Sequence, residues 1–69
     1  MRREATRFKA ARINAGMTQR ELAGAVGVLE SDIHRLEYGY WDPASEMRSK
    51  LCRAIEVPLH AVFDDRGAM

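Results

Sequence analysis

Apolar residues recur at helical spacing along nearly the whole chain. In the first third, Phe8, Ala11, Ile13 and Ala15, with Ala5 upstream, form a stripe that predicts a helix from about Arg3 to Ala15. Asn14-Ala15-Gly16 then supplies a stop, since glycine takes the left-handed conformation after a last turn. Thr18 reads as an N-cap, and Glu21 three positions on completes a capping box. The short helix it opens, Gln19–Val26, turns Leu22, Ala23 and Val26 inward, and its small run Ala23-Gly24-Ala25 predicts close approach by a neighbour. Gly27 ends it. A third helix follows from about Leu29 to Tyr38, with Ile33 and Leu36 inward. Leu29 offers no acceptor to the exposed amides of that helix, and Glu30 and Asp32 compensate through their charge in its first turn.

Gly39 closes the third helix, and Pro43 bars a helix through Tyr40-Trp41-Asp42. A fourth helix, about Ser45 to Ile55, is expected to bury Met47, Leu51, Cys52 and Ile55. A last helical turn after Pro58 adds Leu59, Val62 and Phe63 to the core. No alternating strand pattern, internal repeat or low-complexity run is present, so the fold class is all-α with about five helices. The expected organisation is a domain over 8–63, preceded by the basic start of the first helix at 1–7 and followed by a frayed tail at 64–69.

Composition narrows the function more than the fold. Sixty-nine residues, 46% hydrophobic and 30% charged, suit one small globular domain and exclude a large-cavity enzyme. Cys52 is the single cysteine and reads as a small core residue with no disulfide partner. No apolar run approaches the roughly 18 residues of a membrane span. No apolar signal core follows Met1-Arg2-Arg3-Glu4, so a cytoplasmic location is expected. The net charge of +1 hides a strong asymmetry. Residues 1–20 set Arg2, Arg3, Arg7, Lys9, Arg12 and Arg20 against Glu4 alone. Residues 21–47 set Arg35 alone against Glu21, Glu30, Asp32, Glu37, Asp42 and Glu46. The basic third suits an anionic partner such as nucleic acid, and the acidic middle opposes indiscriminate attachment to phosphates.

Two short helices joined by the tight turn Gly27-Val28 have the physical content of a helix-turn-helix. The second of such a pair must fit a major groove and expose several polar side chains together. With Ile33 and Leu36 inward, Glu30, Ser31, Asp32, His34 and Arg35 are left outward or partly so. The start of the first helix offers free amides and Gln19 to a phosphate.

From Phe8 to about Phe63 the chain resembles the phage-repressor/Cro helix-turn-helix family of bacterial regulators, the xenobiotic-response-element group. The resemblance is carried by Arg12, Gly16-Met17-Thr18-Gln19, Glu21-Leu22-Ala23, Val26-Gly27-Val28, Ile33, Glu37, Gly39, Pro43, Ala54-Ile55 and Val57-Pro58-Leu59. It implies a five-helix, lambda-repressor-like DNA-binding domain whose helices 2 and 3 form the reading unit. Gln19 matches the position that anchors a phosphate and reaches toward a base. Glu30, Ser31 and Arg35 match base-reading positions, with Asp32 and His34 beside them at the groove wall. Arg12 and Glu37 match a buried or half-buried ion pair tying the first helix to the end of the third. The chain departs from the pattern at Leu29, where the family commonly carries a small polar cap, and at Glu30, where Gln or Arg is frequent. It departs again at Tyr40-Trp41, in a loop that is often basic.

The expected function is a sequence-specific DNA-binding regulator that reads double-stranded DNA as a homodimer. No cofactor, metal or small-molecule ligand is implied, because no metal-ligand spacing joins His34, His60 and Cys52. No nucleophile–base pair, phosphate loop or carboxylate dyad stands at a workable spacing, so an enzyme is not expected. The alternative is a protein-interaction module on the same fold, antitoxin-like or a co-regulator. It would use Tyr38, Tyr40 and Trp41, an aromatic cluster that otherwise reads as a lid on the core. Arg35 has an equally plain alternative as a solvated helix charge paired with Asp32 or Glu30.

Overall fold

A computed structural model describes residues 3–63. The expectations placed on residues 1–2 and on the tail at 64–69 lie outside those described. Five helices follow one another: α1 (Arg3–Asn14), α2 (Gln19–Val26), α3 (Glu30–Glu37), α4 (Ser45–Ala54) and α5 (Leu59–Val62). The described residues form an all-α structure. Ala15, Leu29, Tyr38, Ile55 and Phe63, expected as terminal helical residues, fall just outside, where the chain leaves helical dihedrals while still capping the ladder.

The core is one cluster built by every helix. Phe8 from α1, Leu22 and Val26 from α2, Ile33 and Leu36 from α3, and Leu51 and Cys52 from α4 meet Ile55, Val62 and Phe63. The Phe8 and Phe63 ring centroids are 6.0 Å apart at a tilt of 39°, which joins the two ends of the domain. Met47 and Leu59 are only partly buried and pack at the rim of the cluster.

Two expectations for inward faces fail for geometric reasons. Ile13 and Ala15 are exposed, Ile13 by 56%. The buried row of α1 is Ala5, Phe8 and Arg12, and a residue five positions after Phe8 points well away from it. An arginine therefore occupies the helical position that an apolar pattern assigns to a hydrophobe. In α2, Ala23 is buried but Gly24 and Ala25 face outward, and a Cβ added to Gly24 would meet nothing within 4 Å. Of the three small residues only Ala23 is buried in the core.

The turns decide how α3 is presented. Gly27 adopts φ 81°, which lets its own N–H and that of Val28 both donate to the Ala23 carbonyl, at 2.9 and 3.0 Å. The chain reverses within Gly27-Val28-Leu29, setting α3 directly against α2. After α4 the same left-handed geometry falls on Glu56, at φ 58°, a conformation that costs a side chain energy.

Candidate nucleic-acid interface

Both helices of the α2–α3 unit begin with a defined cap. At α2, Glu21 N–H donates to Thr18 Oγ1 at 3.0 Å, and Thr18 N–H donates to Glu21 Oε1 at 2.9 Å. This reciprocal box leaves the Gln19 and Arg20 amides at the helix start for an outside acceptor. At α3 only half of such a box exists. Leu29 has no side-chain acceptor, while its N–H donates to Asp32 Oδ2 at 3.0 Å.

Helix α3 divides cleanly into two sides. Ile33, Leu36 and Glu37 are buried. Glu30, Ser31, His34 and Arg35 are exposed and Asp32 is half-buried, so the polar side of α3 is left uncovered by the rest of the described chain. These five residues, named above for the groove or its wall, make up the side of α3 turned away from the core, spread over roughly half of its circumference.

The buried end of α3 carries a charge cluster. Arg12 Nε donates to Glu37 Oε2 at 2.6 Å and Arg12 Nη2 to Glu37 Oε1 at 3.1 Å, a two-point contact between side chains 10% and 1% exposed. Arg12 Nη1 also donates to the Met17 carbonyl at 2.7 Å, and Gln19 Nε2 donates to Glu37 Oε1 at 3.0 Å. One glutamate thus gathers α1 and the start of α2 onto α3, with the α1–α2 turn held through Arg12. Gln19, assigned above to a phosphate, has its amide drawn inward to this cluster. It still stands at the first turn of α2, held in place by Glu37. No buried side-chain nitrogen or oxygen among the described residues lacks a partner.

The outer edge carries a second arginine–carboxylate pair. Arg35 Nη2 donates to Asp32 Oδ1 one turn earlier, with the Arg35 side chain 57% exposed and that of Asp32 20%. His34 stacks at a tilt on Tyr38, with ring centroids 4.5 Å apart. The aromatic cluster proposed as one patch is split. Tyr38 and Tyr40 are exposed, whereas Trp41 is half-buried and packs on the core. Trp41 there serves as a lid, in a crevice lined also by Ala5, Leu36, Pro43 and Phe63. Arg48 fastens the following loop, donating to the Pro43 carbonyl and Asp42 Oδ1, both at 2.9 Å, while its guanidinium lies 5.2 Å from the Phe63 ring centre.

Comparison with known proteins agrees with this geometry. Residues 5–62 match a family described as a helix-turn-helix domain. The chain belongs to the Cro/CI-type helix-turn-helix family. Among its relatives is a transcriptional regulator, ClgR, of Mycobacterium tuberculosis, 34% identical over 60 residues; the match covers 87% of this chain and 54% of ClgR. The chain therefore spans about half the length of that relative. An uncharacterized helix-turn-helix-type transcriptional regulator of Archaeoglobus fulgidus is 37% identical over 62 residues, covering 87% of this chain and 89% of its own length. A second from the same organism is 36% identical over 58 residues, covering 84% and 82% respectively. The helix-turn-helix is a unit through which proteins of this fold dock on DNA, and each of these relatives is named as a transcriptional regulator.

Sequence reasoning missed two features of the interface. Leu29 reads in the sequence only as a weak cap, yet its apolar side chain is 68% exposed at the very start of α3. The signal was present, since an apolar side chain at a cap position has no neighbour to bury it. The inward bond of Gln19 gave no comparable signal, because 18 positions separate it from Glu37. Burial raises the Cys52 thiol pKa above its ordinary value, which keeps it protonated and unreactive. Among the described residues no helix is long and apolar enough to cross a membrane.

Proposed function

We propose that the protein is a sequence-specific transcriptional regulator that lays α3 in the major groove of double-stranded DNA and binds as a homodimer. The observation that carries this reading is the uncovered polar edge of α3, backed by a helix whose own inner face is fully engaged. Arg35 is the side chain best suited to guanine. Ser31 and His34 contribute donors and acceptors beside it, and Glu30 accepts from the exocyclic amine of cytosine. Leu29 supplies an apolar contact to thymine. The Gln19 and Arg20 amides and the exposed Arg20 side chain take phosphates, which sets the register of the helix on the duplex.

One copy offers few base contacts, so a second copy on a neighbouring half-site is needed for affinity at physiological salt. Fluorescence anisotropy against duplexes selected from a random pool, at several salt concentrations, tests the reading. Preferential binding to the selected duplex, in complexes of two chains, is expected. Equal affinity for unrelated duplexes would count against it.

The alternative of a protein-interaction module keeps one favourable observation, the 81% exposure of Tyr40. Trp41, half-buried against the core, offers such a surface less than Tyr40 does. On that reading, Tyr40→Ala abolishes association with a partner while leaving DNA affinity and helicity unchanged.

A further inference from the structure

We infer that Asp32 is a positioning residue that aims Arg35 at a guanine base and keeps it off the phosphates. The inference rests on the reading of α3 as the base-contacting helix. Its starting point is that both oxygens of the Asp32 carboxylate are engaged. Oδ2 accepts the Leu29 N–H at 3.0 Å, which fixes the carboxylate to the backbone at the start of α3. Oδ1 accepts from Arg35 Nη2. A largely covered, backbone-anchored group therefore holds an exposed and otherwise flexible one.

Two consequences follow for what Arg35 can recognise. Pairing uses only part of the guanidinium fork, and the remaining N–H donors project beyond Asp32 with less rotational freedom to lose on binding. The pair is also close to neutral as a unit. A phosphate gains little from a cation already matched by a carboxylate and is repelled by Asp32 itself, with Glu30 nearby in the same first turn. The neutral acceptors O6 and N7 of guanine suffer no such repulsion and take two parallel donors. The acidic character of α3 thereby acts as a filter: it removes attraction to the backbone and keeps the contact that carries sequence information.

The test measures base preference for the full chain on a duplex selected from a random pool and on copies with each guanine of the half-site replaced. Arg35→Ala should lose roughly tenfold or more of the preference for one guanine. Asp32→Asn should lose most of the same preference, and the double variant should lose no more than Arg35→Ala. Asp32→Asn should also bind unrelated duplexes more tightly and with a steeper salt dependence, as the released arginine finds phosphates. Thermal melts of each variant, with Asp32→Glu to retain the charge, separate loss of the cap from loss of aim.

A purely capping Asp32 would weaken every duplex by one common factor, and that result overturns the inference. Tighter binding by Asp32→Asn with the guanine preference intact would show that the carboxylate masks the arginine, and overturns it as well. Relaxation by Arg35→Ala without relaxation by Asp32→Asn defeats the positioning role alone. A wild-type chain with no base preference defeats the reading of α3 together with the inference.

Discussion

Helix α3 carries an arginine–carboxylate pair on each of its two sides, and the two teach opposite lessons about what such a pair does. At the inner end, Arg12 and Glu37 come from positions 25 apart and meet in two hydrogen bonds with almost no solvent access. Their partners are all protein: the Met17 carbonyl completes Arg12, and the Gln19 amide completes Glu37. At the outer edge, Asp32 and Arg35 are one turn apart on the same helix, the arginine open to water and the carboxylate largely covered. The first arrangement joins elements distant in sequence and fixes where α3 stands. The second joins nothing distant and holds one side chain in a pose. Identical chemistry thus becomes structural when dry and directional when wet, because water screens the attraction but leaves the geometry.

Removing one member of each pair should separate these roles. Glu37→Ala strands the Arg12 guanidinium in a buried site and releases Gln19. A loss of about 3–5 kcal/mol of folding stability is expected from chemical denaturation. Given the small size of the domain, much of it should then be unfolded at ambient temperature. A loss below about 1 kcal/mol would place the inner pair in the same class as the outer one and erase the contrast.

Arg35→Ala should do the reverse. DNA binding to the selected duplex falls by about 1–3 kcal/mol, with relaxed specificity at one base position, while the melting temperature hardly moves. Uniform loss across all duplexes would instead assign Arg35 to a phosphate. Gly24→Ala touches neither pair and calibrates the scale. It adds a methyl in open space on an exposed helical face, and about 0.5–1 kcal/mol of stabilisation is expected in a thermal melt. The smallest effect belongs to the ion-pair attraction of Asp32 and Arg35 in the free protein. A double-mutant cycle should return about 0.3–0.5 kcal/mol for that i,i+3 pair, falling further as salt is added.

The same contrast explains which features could be read along the chain. Periodicity and punctuation located five helices because each is bounded by a local signal: the Thr18–Glu21 box, Gly16, Gly27, Gly39, and Pro43 or Pro58. Asp32 and Arg35 are near neighbours on one helix, so their pairing was visible as an alternative from spacing alone. Arg12 and Glu37 were linked only through family resemblance, since no local pattern joins positions so far apart. That is also why Ile13 was placed inward. An apolar pattern has no way to show that a charged side chain takes the buried row when its counter-charge arrives from another helix. Trp41 shows the converse limit. Three aromatic residues close in sequence suggest a patch, but the turn at Gly39 sends Trp41 to the core and Tyr40 to the surface.

The central claim, that the polar edge of α3 reads bases in the major groove, is tested most directly by methylation interference at guanine N7. That atom faces the major groove and lies at the position an arginine fork occupies. The account predicts that methylating one guanine in each half-site, with the two sites about one helical turn apart, blocks binding of the wild-type chain. The same methylation should have little effect on Arg35→Ala. Undiminished binding of the wild-type chain to duplexes methylated at every guanine N7 would contradict it.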